Sequence, residues 1–145
     1  MTERFIHIGL TVSDIDKAVE FYQKYFHFTL EFKAVFPPQF IADSPSLYRQ
    51  KEGVYSDFAM IKSPDDIVLE LFQFSSNVKA KPAVWNQPGF HHICFKVDSV
   101  LEMYEKMKSE GVEFFFKPKS KGNPADNTHW VFLTDPDGNM IELQD

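Results

Sequence analysis

The chain has 145 residues, 43% hydrophobic and 25% charged, with a formal net charge of −6. That length suits a single domain, 1–145, with a real core, and the composition excludes a disordered chain. The acidic balance excludes nucleic acid and an anionic membrane surface as partners, because both select basic patches.

One cysteine, Cys94, makes no intramolecular disulfide, which fits a reducing compartment. MTERFIHIGL carries charges where a leader needs an apolar stretch, and no apolar run approaches membrane-spanning length, so a cytoplasmic location is expected.

Residues 5–12 alternate, with Ile8, Leu10 and Val12 on one face and His7, Gly9 and Thr11 on the other, which predicts a strand. Ser13 and Asp16 form a capping-box pattern ahead of Ile15, Val19, Tyr22 and Phe26 at helical spacing. Strands are predicted near 28–36, 54–61 and 66–74. The proline-bearing run FPPQFIADSPSLYRQKEG between the first two reads as a long surface loop or lid.

Residues 75–89 read as a connection, and then the order repeats. His92, Cys94 and Lys96 alternate with Ile93, Phe95 and Val97. Ser99 and Glu102 form a second capping box, and Gly111 ends the second helix. Strands near 112–117, 128–134 and 139–144 follow, with the DPDG turn between the last two. The expected fold is α+β: two tandem βαβββ modules, 1–74 and 90–145, curving into a cup-shaped, partly open barrel.

In each module a histidine opens the first strand and a glutamate lies on the last: His7 with Glu70, His92 with Glu142. Taken singly, each histidine also reads as an exposed strand end and each glutamate as an ion-pair partner. Their recurrence in register favours a mixed nitrogen and oxygen site for one divalent ion: zinc, nickel, cobalt or manganese.

The repeat selects His92 over His91, because neighbours in a strand point to opposite faces. His91 then reads as structural or as a hydrogen-bonding support. His27 is expected to end the first helix. His129 is a candidate substrate contact, and Phe72, Phe74 and Met140 are expected to line the cleft and exclude water. Cys94 reads as a small residue packed beside the site. The lysines of KPKSKGN are expected to be solvated.

HIGLTVSDIDKAVEFY, ELFQF, HHICFKVDSV and DPDGNMIEL resemble the vicinal oxygen chelate superfamily of glyoxalase I, methylmalonyl-CoA epimerase, extradiol dioxygenases and fosfomycin-resistance enzymes. The resemblance covers the chain apart from the proline run and the connection. It implies paired modules around a divalent metal, a small-molecule substrate and commonly a homodimer.

The order His, Glu, His, Glu resembles glyoxalase I, whereas the epimerases usually carry Gln at the Glu70 position. The resemblance implies a lyase or isomerase that moves a proton through an enediolate, with Glu142 as the main base and Glu70 as its opposite-face partner. Two positions depart from glyoxalase I. Thr11 stands where an arginine usually helps hold glutathione, and Phe74 where an asparagine is common. GFHHICFKVD looks more like the epimerases. The alternatives are therefore an acyl-CoA epimerase of the methylmalonyl-CoA type and a metal-free module that sequesters a small molecule.

Overall fold

Period-2 alternation and helical stripes set the order of elements in the computed structural model, which describes residues 2–145. Strand β1 (His7–Thr11) leads to helix α1 (Ile15–Phe26) and β2 (Thr29–Phe36). Two short helices follow, α2 (Pro38–Ala42) and α3 (Pro45–Tyr48), then β3 (Ser56–Lys62) and β4 (Val68–Phe74). The second half has β5 (His92–Lys96), α4 (Val100–Ser109), β6 (Lys119–Ser120), β7 (His129–Thr134) and β8 (Met140–Gln144).

These elements form two four-stranded mixed sheets, ordered β1-β4-β3-β2 and β5-β8-β7-β6. The fold is α+β, with one topology used twice. The chain divides into two compact units, the first running to Lys79 and the second from Ala80 to Asp145. Among the described residues no helix is long and apolar enough to cross a membrane.

In each unit the first and last strands pair in parallel, and the other neighbours pair antiparallel. A parallel pair needs a crossover, and the helix after the first strand begins it. Ile15, Ala18, Tyr22 and Phe26 of α1 are buried, as are Ala59, Ile61, Leu69 and Leu71 of the sheet beneath. Val100, Tyr104 and Met107 of α4 are buried likewise, with Val131, Leu133, Ile141 and Leu143. Removing a side chain such as Leu71 or Leu143 from these layers costs about 2–5 kcal/mol.

The helix starts are tied to the last strands by a repeated contact. Three residues past each glutamate, Gln73 Oε1 accepts from Ile15 N at 2.7 Å and Asp145 Oδ2 accepts from Val100 N at 2.8 Å. Each satisfies a first-turn N–H that has no partner inside its helix.

Three local expectations are corrected. The cap of α1 is Asp14 rather than Ser13, with its carboxylate accepting from Asp16 N and Lys17 N at 3.1 and 3.0 Å. Ser99 does cap α4, accepting from Glu102 N at 3.3 Å.

The proline run is not a plain loop. Pro38 and Pro45 stand at the starts of α2 and α3, where a missing N–H costs nothing and φ is already helical.

The strand expected at 112–117 is broken. Phe114 bridges to Leu133, and pairing resumes with Lys119 opposite Trp130. The chain has more residues to place between these contacts than β7 does, so it bulges there, and Pro118 has no N–H to offer a ladder.

The helix ends follow the expectations. His27 closes α1 in a left-handed conformation at φ 57°, and Gly111 follows α4 at φ 89°.

Asp145 and Gln73 differ in one testable way. Burial raises the Asp145 carboxyl, but the N–H groups of Val100 and His129 and the charges of His129 and Lys121 hold it below its ordinary value. A carboxyl depressed in the folded state stabilises above its unfolded pKa, and that contribution disappears as pH falls through the folded value. Urea unfolding should therefore show an Asp145→Asn deficit that is full at about pH 6 and closes toward about pH 3. Gln73→Ala should lose about 1 kcal/mol at every pH.

Candidate metal centre

The parallel register places each histidine beside its glutamate. His7 lies opposite Val68 and Gly9 opposite Glu70; His92 lies opposite Met140 and Cys94 opposite Glu142. Both members of each pair therefore face the same side of the sheet, the side away from the helix. His7 Nε2 stands 3.5 Å from Glu70 Oε2, and His92 Nε2 stands 3.4 Å from Glu142 Oε2. The same atoms meet at nearly the same distance in both units.

These distances fit a shared ion. Two donors each about 2.1 Å from a metal lie roughly 3.0–3.4 Å apart at right-angle to tetrahedral geometry. Imidazole nitrogen with carboxylate oxygen suits zinc, nickel, cobalt or manganese. Among the described residues no group of three or more His, Cys, Asp or Glu side chains gathers as a metal site. Each unit by itself presents two donors.

The surroundings of the two pairs differ. Glu70 shares its face with Phe72 and Phe74, as its strand pattern predicts, and cross-strand pairing adds Met60 and Phe58. Phe36 stacks on Phe58 at 4.9 Å, and Phe58 meets Phe72 at 5.1 Å. Phe40 of α2 and Tyr48 of α3 extend this wall, touching Phe36 at 4.7 Å and Phe74 at 6.3 Å. Thr11, on the same strand face as His7, is exposed at the end of β1.

In the second unit the position two past the glutamate is Gln144, not a phenylalanine. Its Nε2 donates to Glu142 Oε1 at 2.8 Å. Phe132 lies opposite Glu142, and its ring meets His92 edge-on at 5.1 Å. Trp130 and Phe116 continue that wall at 5.1 Å from each other, with Lys119 Nζ 4.4 Å from the Phe116 ring centre. Met140 lies opposite His92 and is half-buried.

His129 is on the other face. Phe132 pairs with Glu142, so alternation places His129 with buried Val131 and Leu133. There its backbone N–H donates to Asp145 Oδ1 at 2.5 Å, and its ring Nδ1 lies 3.8 Å from Asp145 Oδ2. Both phases of HWVFLT are apolar, which hid the parity that places Trp130 and Phe132, rather than His129, beside the pair.

His91 also differs from expectation. It precedes β5, so strand alternation does not reach it, and its ring lies beside that of His92, the centres 4.8 Å apart and the planes 21° from parallel. Trp85, from the connecting segment, lies over both rings. Nothing in the residue pattern pointed to Trp85.

A family model described as Glyoxalase/Bleomycin resistance protein/Dioxygenase superfamily matches residues 4–143. A lactoylglutathione lyase of Schizosaccharomyces pombe is 31% identical across 98% of this chain, which spans 47% of that protein's length. A lactoylglutathione lyase of Pseudomonas putida is 28% identical across 96% of this chain and 83% of its own. The fold resembles a glyoxalase family protein from Bacillus cereus with a TM-score of 0.79 at 19% identity, over 99% of this chain and 94% of the other.

Cys94 is exposed at its surface side, yet burial of its inner side and the adjacent Glu142 carboxylate push the thiol up to about 11. At pH 8 the thiolate is then about one part in a thousand, too little for a nucleophile. In chelator-treated protein, iodoacetamide should alkylate Cys94 about 100-fold more slowly than an ordinary thiol at pH 8. The rate should climb about tenfold per pH unit up to about pH 10. Glu142→Gln removes the raising charge and should speed the reaction.

Proposed function

The chain belongs to the Glyoxalase/Bleomycin resistance protein/Dioxygenase superfamily, and on that premise we propose a divalent-metal-dependent lyase or isomerase of the glyoxalase type. The observation that carries this reading is the matched pair: His Nε2 against Glu Oε2 at 3.5 and 3.4 Å in two units of one topology. His7, Glu70, His92 and Glu142 are the ligands in this reading, and zinc, nickel, cobalt and manganese all suit them. When bound, such an ion polarises a substrate carbonyl and acidifies the neighbouring C–H.

The chain's own groups do the rest. Glu142 would release the ion to take the proton at Oε2, the oxygen that faces His92, while Gln144 holds Oε1 and fixes the plane of the carboxylate. Glu70, with Phe72 two residues on along β4 and Met60 opposite it on β3, is the opposite-face partner in this reading. The rings of Phe72 and Phe132 beside the two carboxylates exclude water, which strengthens every charge interaction there.

The substrate is a small molecule with adjacent oxygens and an apolar or aromatic group. Thr11 and Phe74 offer no cationic or amide anchor for a charged tripeptide, and the Phe36–Phe58–Phe72 wall suits a ring or branched chain. A homodimer belongs to the same reading, and sedimentation measures it.

Elemental analysis should find about one divalent ion per chain, lost on His92→Ala. Glu142→Gln should keep the ion and lose ~10²–10⁴-fold in rate, since an amide coordinates but does not accept the proton. A metal-loaded Glu142→Gln protein that exchanges the substrate α-proton at the wild-type rate would falsify the assigned base.

Turnover of a glutathione hemithioacetal should fall well below the roughly 10⁶ M⁻¹s⁻¹ of an efficient enzyme. A protein that takes no metal yet binds aromatic ligands would instead be a sequestering module. Solvent deuterium entering the α-carbon of an acyl-CoA would mark an epimerase.

A further inference from the structure

We infer that His91 is a positioning residue: its Nδ1 accepts the Nδ1–H of His92 and so presents a bare Nε2 of His92 to the metal. This rests on the metal reading above.

The two Nδ1 atoms lie 2.7 Å apart. At that separation one nitrogen carries the proton and the other offers its lone pair. Geometry decides which. His92 Nε2 is the atom 3.4 Å from Glu142 Oε2, and it is the nitrogen offered to an ion. A neutral imidazole with a bare Nε2 keeps its proton on Nδ1. His92 is therefore the donor and His91 the acceptor, and the proton of His91 sits on its own Nε2.

Trp85 holds this arrangement in place. Its ring lies over His91 at 4.1 Å and 30°, and over His92 at 5.2 Å and 25°. It meets Phe132 edge-on at 5.6 Å, so it bridges the doublet to β7. His91, constrained by Trp85 above and His92 beside it, has little freedom to turn its nitrogen away.

The first unit lacks the device. The residue before His7 is Ile6, whose exposed side chain offers no acceptor. The orientation of His92 is thus fixed by a neighbour that His7 does not have. Groups that orient a metal-bound imidazole through its second nitrogen commonly govern 10–100-fold in metal affinity.

The experiment titrates chelator-treated protein with zinc by calorimetry. His91→Phe keeps a ring for Trp85 to cover but removes the acceptor, and it should weaken zinc binding about 10–100-fold. His91→Asn loses the ring but sets an amide oxygen close to the old Nδ1, and it should restore most of the affinity. If His91 only packs, the order reverses: Phe binds as wild type does and Asn binds poorly.

A second readout uses the wild-type protein alone. Nitrogen-15 spectra of the zinc-loaded chain should show His92 protonated at Nδ1 and His91 at Nε2. A His91 protonated at Nδ1 in that state overturns the inference. Wild-type protein that takes up no zinc, nickel, cobalt or manganese overturns the metal reading itself, and this inference with it. That result is distinct from wild-type binding that His91→Phe leaves intact.

Discussion

The parallel pairing of the first strand with the last in each unit is the constraint from which the rest follows. It sets the register that brings His7 to Glu70 and His92 to Glu142, since each histidine then stands two residues out of step with its glutamate on one face. Parallel neighbours cannot be joined by a tight turn, so the chain must cross over, and the helix that does so packs on one face of the sheet. The other face is left for polar and aromatic side chains. Gln73 and Asp145 reinforce the arrangement by tying the end of the last strand to the start of that helix. A slip of one residue in β4 or β8 would turn the glutamate into the core and its cap away from the helix.

Much of this was legible in the residue pattern because the repeat doubles every signal. HIGLT and HICFK alternate alike, and VLEL and MIEL place a glutamate between buried leucine or isoleucine neighbours. What the pattern hid has physical causes. Pro38 and Pro45 read as breakers because proline disfavours helix interiors, yet each opens a helix. Asp14 displaced Ser13 as the cap of α1 because both are good caps one residue apart, and local sequence does not choose between them. In 129–134 apolar residues fill both phases, so only the pairing of Phe132 with Glu142 reveals that His129 faces away. Trp85 belongs to an irregular segment, where no period exists to be read.

The two units share a backbone plan and differ in what flanks the carboxylate. Glu70 meets a wall of rings, and Glu142 meets a hydrogen-bond donor from Gln144. A carboxylate held at one oxygen has a defined direction for the other. One beside aromatic rings is shielded from water. Duplication supplied two equal pairs, and side chains two positions past each glutamate made them unequal.

The partner strand carries the matching difference. Opposite Glu70 stands Gly9, and opposite Glu142 stands Cys94. A Cβ added at Gly9 would lie 3.7 Å from Phe72 Cε2, an ordinary contact, so there is room for a methyl group beneath the ring where the second unit has the Cys94 side chain. Phe72 with Gly9 makes one combination, a large ring over a vacant position. Gln144 with Cys94 makes the other, a polar amide and a neutral thiol on either side of Glu142. Burial and the adjacent Glu142 carboxylate together keep the thiol protonated, and a protonated thiol donates to that carboxylate rather than competing with it. Glu142 therefore gathers donors from Gln144 and Cys94 and contacts His92, whereas Glu70 has His7 beside it, Met60 opposite and rings beyond. The asymmetry of the pair is built from two neighbouring strands together, so neither substitution alone would convert one unit's chemistry into the other's.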